Sequence, residues 1–257
     1  MNNQDRRSVW HEEEDFWETF GPVMFIPRQW ELAPEQVDQI LSLLDIQTPC
    51  QVLDLCCGPG RHSLELGRRG FQVTGIDRTK SYLDEAIKRA KEESLSIEFI
   101  QADMREFVKP NSFDLVLNLS TSFSYFRDPK EDEQVLKNVY TSLKPGGKFL
   151  MEMMGKEVLA RIFKEREWRE YEPGVFWLVE RKATKDWGWM YNRWLLIDTN
   201  DPNNLKKEFE VDHRLYSGTD LRTLLVNAGF SEVSIYGDLQ GAPYDHDAKE
   251  IVGVAIK

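Results

Sequence analysis

One segment limits the possible folds of this chain more than any other. Residues 52–63 read Val-Leu-Asp-Leu-Cys-Cys-Gly-Pro-Gly-Arg-His-Ser, a short apolar run followed by a glycine turn and a helix start. Glycine lets the backbone approach a ligand closely, and the start of a helix offers backbone N–H groups without intrahelical partners. In an open α/β sheet, ligands bind beyond the carboxyl ends of the strands. We therefore expect the chemistry of this protein along residues 54–62.

Strand and helix patterns alternate through the residues that surround this segment. The predicted strands are 51–55, 71–76, 97–100, 113–118, 148–153, 233–236 and 251–256. Strands that alternate with helices imply right-handed crossovers and a parallel sheet covered on both faces. The sequence thus predicts an α/β class protein with a Rossmann-like, doubly wound, mostly parallel seven-stranded sheet. Its last two strands are expected to form a hairpin at the sheet edge.

Two regions interrupt the alternation. Residues 1–48 have helical patterns, with a second helix expected to start near Pro34. Residues 165–216 contain three extended segments and five of the eight tryptophans, which predicts an antiparallel β insertion. The predicted division is 1–48 as an N-terminal helical lid, 49–164 as the α/β core, 165–216 as the insertion covering the substrate, and 217–257 as the rest of the core.

Composition narrows the classes of partner. The net charge of −11 and the absence of a dense Lys/Arg stripe argue against a nucleic-acid partner. No apolar run approaches the roughly 20 residues needed to span a bilayer, so no membrane contact is expected. The polar first seven residues do not resemble a secretory signal, and we expect a cytoplasmic protein.

Cysteine and histidine spacing predicts a protein without a metal. Three cysteines, Cys50, Cys56 and Cys57, form neither a disulfide framework nor a zinc site, and the four histidines are scattered.

A second acidic residue indicates a ligand that contains a nucleoside. Asp77 lies at the end of the second predicted strand, 23 positions after Asp54, where a carboxylate can accept both hydroxyls of a ribose. Strand-end capping is the plainer alternative for both acids. NAD is disfavoured because Pro59 removes an amide donor and the third glycine of the dinucleotide fingerprint is absent.

Residues 50–155 resemble the class I S-adenosylmethionine (SAM)-dependent methyltransferases of the small-molecule type. Five segments match the motifs of that family in order and spacing: Val52 to Gly60, Gly75 to Asp77, Gln101 to Met104, Phe113 to Asn118, and Leu143 to Lys148. The family usually has glycine where this chain has Cys56, so the loop path near the SAM carboxylate is expected to differ there.

The resemblance implies a cofactor, SAM, with S-adenosylhomocysteine as product, and a set of residues that bind it. Asp54 would order the amino-acid end of SAM, Asp77 would bind the ribose, and Asp103 would accept from the adenine amine. The full implied cofactor set is Asp54, Cys56, Gly58, Gly60, Asp77, Arg78, Asp103, Met104 and Asn118.

The methyl group of SAM is already activated, so transfer requires an acceptor held in line and the exclusion of water. A general base is optional, and we assign no catalytic residue. His213 and Tyr125 are weak candidates for that role, and Trp17, Tyr125, Arg193 and His213 are candidates for contact with the substrate. A hydrogen-bonded core position is the favoured alternative for His213, and stacking on Trp189 and Tyr191 is favoured for Arg193.

The leading hypothesis is a methyltransferase that transfers a methyl group to a nitrogen or oxygen of a small molecule by in-line displacement. The alternatives are a methyltransferase acting on protein or RNA, a non-catalytic SAM-binding regulator and, more distantly, a dehydrogenase. The sequence leaves the substrate and the oligomeric state open.

Overall fold

The computed structural model describes residues 9–203 and 205–257, which divide into two compact units. The α/β unit comprises residues 30–162 and 216–257, and the antiparallel unit comprises residues 9–29 and 163–215. We describe each unit by itself.

The α/β unit contains seven strands and six helices among its described residues. The strands are β1 (Gln51–Leu55), β2 (Gln72–Asp77), β3 (Glu98–Gln101), β4 (Phe113–Asn118), β5 (Leu143–Met153), β10 (Glu232–Tyr236) and β11 (Ile251–Ile256). The helices are α2 (Pro27–Leu44, in this unit from residue 30 on), α3 (Arg61–Arg68), α4 (Lys80–Glu92), α5 (Pro129–Ser142), α6 (Lys156–Ile162) and α7 (Gly218–Ala228).

These strands form one sheet in the order β10-β11-β5-β4-β1-β2-β3. β11 lies antiparallel between β5 and β10, and the other neighbours are parallel. The predicted α/β class, the mostly parallel seven-stranded sheet and the edge hairpin are confirmed. The chain leaves β1 toward β2 on one side, whereas β4 pairs with β1 on the other, so the carboxyl ends of β1 and β4 form the topological switch point.

Both faces of the sheet are buried, as a doubly wound sheet requires. Leu53 of β1 packs in a cluster with residues of α5 and α7, whereas its neighbour Val52 packs with residues of α2 and α3. Successive strand residues point to opposite faces, so a central strand such as β1 contributes side chains to the core cluster on each face of the sheet.

The antiparallel unit contains a four-stranded sheet in the order β6-β7-β8-β9. Its elements are a 3-10 helix (Trp10–Glu12), α1 (Glu14–Met24), β6 (Arg166–Glu172), β7 (Val175–Ala183), β8 (Trp189–Asp198) and β9 (Lys206–Arg214). The predicted antiparallel insertion is therefore present, with four strands instead of three.

Aromatic side chains hold α1 against this sheet. Phe16 lies 5.7 Å from Trp194 and 5.4 Å from Phe209 between ring centroids, and Phe20 lies 5.9 Å from Trp177. Such contacts add to the large apolar area that aromatic rings bury.

Three local expectations are wrong. α2 begins at Pro27 and not near Pro34. A proline fits the first turn of a helix because the N–H group that it lacks would have no intrahelical partner there. β6 was missed because its residues are mostly charged and exposed, as suits an edge strand. β5 begins at Leu143 rather than Lys148, and a register shift opposite β4 accommodates the intervening glycines.

No helix among residues 9–203 and 205–257 combines the length and the apolar character needed to cross a bilayer.

Phe20 is expected to be a main contributor to the stability of the antiparallel unit. It is 0% exposed, and Phe20→Ala should lower the free energy of unfolding by about 3–5 kcal/mol because it leaves a cavity. Trp168, which is 65% exposed, provides the control, and Trp168→Ala should change it by about 0.5 kcal/mol or less. Urea unfolding followed by tryptophan fluorescence measures both, and equal losses would show that α1 packing contributes little.

Candidate cofactor site

The loop that connects β1 to α3, residues 56–60, follows an unusual backbone path. Cys56, Gly58 and Gly60 have φ angles of 64°, 54° and 83°, in the left-handed region that favours glycine. This explains why the related family usually has glycine at the position of Cys56. The Cys57 N–H donates to the Ile76 carbonyl at 2.8 Å and joins the loop to β2.

Gly60 has a second reason to lack a side chain. A Cβ atom there would lie 3.0 Å from Cβ of Ala86 in α4, closer than most such contacts. The glycine therefore allows α3 to start beside α4 as well as allowing the turn.

Asp54, at the end of β1, is buried below the 56–60 loop. Its carboxylate accepts from the Ser63 hydroxyl at 2.5 Å, which ties the strand end to the first turn of α3. Burial raises the pKa of Asp54 to about 6, although the Ser63 bond and the charge of Arg61 oppose that shift.

Asp77, at the end of β2, joins the loop to the start of α4. One carboxylate oxygen accepts from the Gly58 N–H at 2.8 Å, and the other accepts from the Thr79 N–H, also at 2.8 Å. Burial raises the pKa of Asp77, and these backbone bonds oppose the rise. A carboxylate oxygen can accept more than one hydrogen bond, so both oxygens keep capacity.

Asp103, which follows β3, is fixed by a residue that the sequence reading missed. Arg105 donates to it from its backbone N–H at 2.8 Å and from its guanidinium at 2.6 Å, and it also pairs with Glu131 at 2.8 Å. Burial raises the pKa of Asp103, but the hydrogen bonds from Arg105 outweigh this and hold it below its usual value. Met104 is buried, and its sulfur lies 3.6 Å from the Cys56 sulfur.

Asn118, at the end of β4, has an orientation set by the backbone. Its amide nitrogen donates to the carbonyls of Leu55 and Ser122, each at 3.1 Å. The side-chain oxygen is buried and has no hydrogen-bond partner within the described part of the chain. A buried acceptor without a partner is costly, and it is a common mark of a ligand position.

The turn after β4, residues 119–125, is held by groups that the sequence reading also missed. Ser120, Thr121 and Ser124 have φ angles of 58°, 58° and 72°. The Ser120 N–H donates to the Glu152 carboxylate at 2.8 Å, and the Arg61 guanidinium donates to the Ser120 hydroxyl at 3.1 Å. Glu152 on β5 and Arg61 at the start of α3 are isolated charged residues in the sequence, so no sequence pattern predicted these contacts.

The nine implied cofactor residues all belong to the α/β unit, and contacts join most of them. Arg78 is joined through its backbone, since its carbonyl accepts from Gln101 at 3.0 Å. Tyr125 also lies in this unit, where its hydroxyl donates to the Thr121 carbonyl. Burial raises the pKa of Tyr125 far above its usual value.

The other three substrate candidates lie in the antiparallel unit. Trp17 donates from its indole N–H to the His11 carbonyl at 3.0 Å. The Arg193 guanidinium pairs with Glu180 and Glu208. The aromatic stacking expected for Arg193 is wrong, because Arg214 instead lies over the Trp189 ring, at 5.1 Å.

His213 shares the face of β9 that carries Phe209 and Val211, as the alternation predicts. Burial lowers the pKa of His213 to about 4, so the imidazole is neutral near pH 7. The expected core hydrogen bond is not found, since among residues 9–203 and 205–257 this imidazole has no hydrogen-bond partner.

Comparisons with known proteins agree with this architecture. Residues 52–147 match a family model described as a methyltransferase domain. YqeM of Bacillus subtilis (strain 168) is 30% identical over 137 residues, which cover 53% of this chain and 55% of YqeM. The chain thus spans about half the length of that relative.

Two further matches cover a larger share of the matched protein. The demethylmenaquinone methyltransferase of Listeria welshimeri is 30% identical over 191 residues, covering 61% of this chain and 77% of that protein. A crystal structure of an S-adenosylmethionine-dependent methyltransferase from Clostridium acetobutylicum has a TM-score of 0.76 at 16% identity, covering 94% of this chain and 97% of the other. The chain belongs to the class I S-adenosylmethionine-dependent methyltransferases.

Proposed function

We propose that this protein transfers a methyl group from SAM to a nitrogen or oxygen atom of a small molecule by in-line displacement. The carrying observation is that Asp77 and Asn118, at the carboxyl ends of β2 and β4, both keep acceptor capacity beside the 56–60 loop. SAM would supply a methyl group already activated on a cationic sulfur. The chain then has to bind it, orient the acceptor and exclude water.

Asp77 is the proposed ribose ligand. The Gly58 and Thr79 N–H groups hold the carboxylate in a fixed plane. Each oxygen can accept one more hydrogen bond, which suits two adjacent hydroxyls. Because the carboxylate is already held in place, its side chain needs little rearrangement to accept hydrogen bonds from the ligand.

Asn118 is the proposed contact for the methionine part of the cofactor. Because both hydrogens of its amide are used on backbone carbonyls, its oxygen is the atom left for a ligand. An ammonium group is a strong donor, and pairing it with this buried oxygen would remove a cost of about 1–3 kcal/mol. Asp54 would act indirectly, by holding the loop through Ser63.

The remaining cofactor residues would surround the adenosyl group. One oxygen of Asp103 accepts two bonds from Arg105, whereas the other accepts one and could take the adenine amine as well. Met104 would pack near the ring, and Arg78 would flank it. The left-handed path at Cys56, Gly58 and Gly60 would let the ligand lie against the backbone.

The acceptor is proposed to be a small molecule for two reasons. The Listeria relative is named for demethylmenaquinone, and the net charge of −11 disfavours a phosphate-rich polymer. Trp17, Tyr125, Arg193 and His213 remain the proposed substrate residues. Tyr125 would act as a wall or donor rather than as a base, because its raised pKa keeps it protonated.

SAM binding is the direct test. Calorimetric titration should show binding of SAM and S-adenosylhomocysteine and none of NAD, and a screen against amines, phenols and carboxylates should then find the acceptor. Asp77→Ala should weaken SAM binding by about 1.5–3 kcal/mol, roughly 10- to 150-fold in Kd, because charge-assisted hydrogen bonds are lost.

Asp84→Ala is the matched control, because Asp84 is an exposed acid on α4 whose ion pair with Lys80 is also exposed. It should leave SAM affinity unchanged. Equal affinity of the folded Asp77→Ala protein and the parent would overturn the ribose assignment.

The left-handed backbone at Cys56 makes a separate prediction. Cys56→Gly should keep the fold and SAM binding, because glycine adopts the φ of 64° without strain. Cys56→Val should lower the free energy of unfolding by about 1–2 kcal/mol and weaken SAM binding, because a β-branched residue is strained there. Thermal unfolding and titration measure both effects, and a Val variant as stable as the Gly variant would contradict the prediction.

His213 is proposed to accept or orient a proton of the substrate. Once an acceptor is known, His213→Asn should lower kcat/KM about 100-fold while SAM affinity stays constant. Steady-state kinetics at saturating SAM make the measurement, and unchanged kinetics would remove His213 from the site.

A further inference from the structure

A buried glutamate, Glu152, and a half-buried one, Glu250, lie beside the proposed cofactor site and have no role in it so far. Glu152 is near the end of β5, and Glu250 precedes β11. Glu152 pairs in register with Val252, two residues beyond Glu250, so both side chains leave the same face of the sheet. The two side chains are close enough to interact, and each contributes to the pKa shift of the other.

The charges around this pair disfavour the ionisation of both groups at once. The positive charge of Arg61, on α3, stabilises the ionised form of Glu152, but it also stabilises that of Asp54. From the segment after β10, Asp238 repels Glu250, while the backbone N–H of Leu239 donates to it. Two carboxyl groups that interact closely and are partly shielded from water favour the retention of one proton, because like charges there repel strongly. The pKa of Glu250 is accordingly raised to about 8, chiefly by burial and then by Glu152.

Glu152 supports the turn at residues 119–125 through two hydrogen bonds. Its carboxylate accepts from the Ser120 N–H at 2.8 Å, and its backbone carbonyl accepts from the Thr121 N–H at 3.1 Å. The turn needs such support because three of its non-glycine residues have left-handed backbone angles, each costing about 1 kcal/mol or more.

The same turn orients two residues of the proposed site. The Ser122 carbonyl accepts from the Asn118 amide at 3.1 Å, and the Thr121 carbonyl accepts from the Tyr125 hydroxyl. A displacement of the Glu152 carboxylate would therefore reach the Asn118 oxygen through one turn of backbone.

We propose that Glu152 and Glu250 share one proton, and that this proton positions the 119–125 turn and, through it, Asn118 and Tyr125. With the proton in place, the pair is held by a hydrogen bond and Glu152 stays under Ser120. When the proton leaves, the two carboxylates repel and the turn loses its anchor. Both glutamates are positioning residues, and the effect on the cofactor rests on the proposed function.

The proton has a defined signature in stability. An ordinary glutamate loses its proton near pH 4.5 in the unfolded chain, whereas the folded protein keeps it to about pH 8. Between these values the folded state binds more protons than the unfolded state, so stability falls as pH rises and then levels off above about pH 8.

Glu250→Gln tests the shared proton, because its amide donates to Glu152 at every pH. The difference in Tm between this variant and the parent should widen from pH 5 to about pH 8 and stay constant above it. Glu232→Gln is the control, since Glu232 is exposed at the start of β10, and its Tm should run parallel to the parent. A constant difference for Glu250→Gln across this range overturns the shared proton.

Hydrogen–deuterium exchange at residues 119–125 tests the positioning without any ligand. Exchange should rise several-fold above pH 8 in the parent beyond the intrinsic change with pH, remain low in Glu250→Gln, and be high at all pH values in Glu250→Ala. The affinity for S-adenosylhomocysteine should follow the same pattern, with rescue by glutamine and not by alanine.

The outcomes separate the two proposals. A widening Tm difference with unchanged exchange in the turn overturns the positioning role. If neither the parent nor any variant binds S-adenosylhomocysteine, the proposed function is contradicted. The exchange data still decide the role of Glu152 and Glu250.

Discussion

The hydrogen bond from the Gly58 N–H to the Asp77 carboxylate is the contact on which the proposed cofactor site depends. The loop between β1 and α3 follows a left-handed path that ordinary residues disfavour, so it must be anchored from outside. Asp77 supplies one anchor from β2, and Asp54 supplies another through Ser63. Because a carboxylate has more acceptor capacity than these backbone bonds use, the residue that fixes the loop also remains available to a ligand.

Sheet topology explains why these groups meet. β1 and β4 are neighbours whose outgoing connections separate, and ligands of open α/β sheets bind at such a point. The Asn118 amide at the end of β4 donates to the Leu55 carbonyl at the end of β1 and to the Ser122 carbonyl in the turn after β4. The loop after β1 and the turn after β4 are thus joined by one amide side chain, whose oxygen is left for a ligand. In both segments, the strained left-handed backbone angles occur where main-chain atoms would face a ligand instead of packing in the core.

The sequence predicted what depends on local patterns and missed what depends on distant partners. Strand and helix periods, with one glycine loop, were enough for the α/β class and the seven-stranded sheet. The start of α2 at Pro27 was missed because Pro34, which lies inside the helix, resembles a start signal. β6 was missed because an edge strand needs no apolar alternation. Arg105 lies two residues from Asp103, yet no periodic pattern marks it as its partner. Glu152 and Glu250 meet only through antiparallel pairing of strands almost a hundred residues apart, which no local pattern encodes.

Charge balance connects the cofactor loop with the glutamate pair. Asp54 and Glu152 are buried and Asp77 is half-buried at the carboxyl edge of the sheet, and desolvation is the largest cause of the raised pKa of each. Arg61 offsets this for Asp54 and Glu152, but one guanidinium cannot neutralise all of them. In our proposal, the ammonium and sulfonium groups of SAM bring positive charge to this edge. Glu250 faces the charges of Glu152 and Asp238, and in our proposal a retained proton offsets that repulsion.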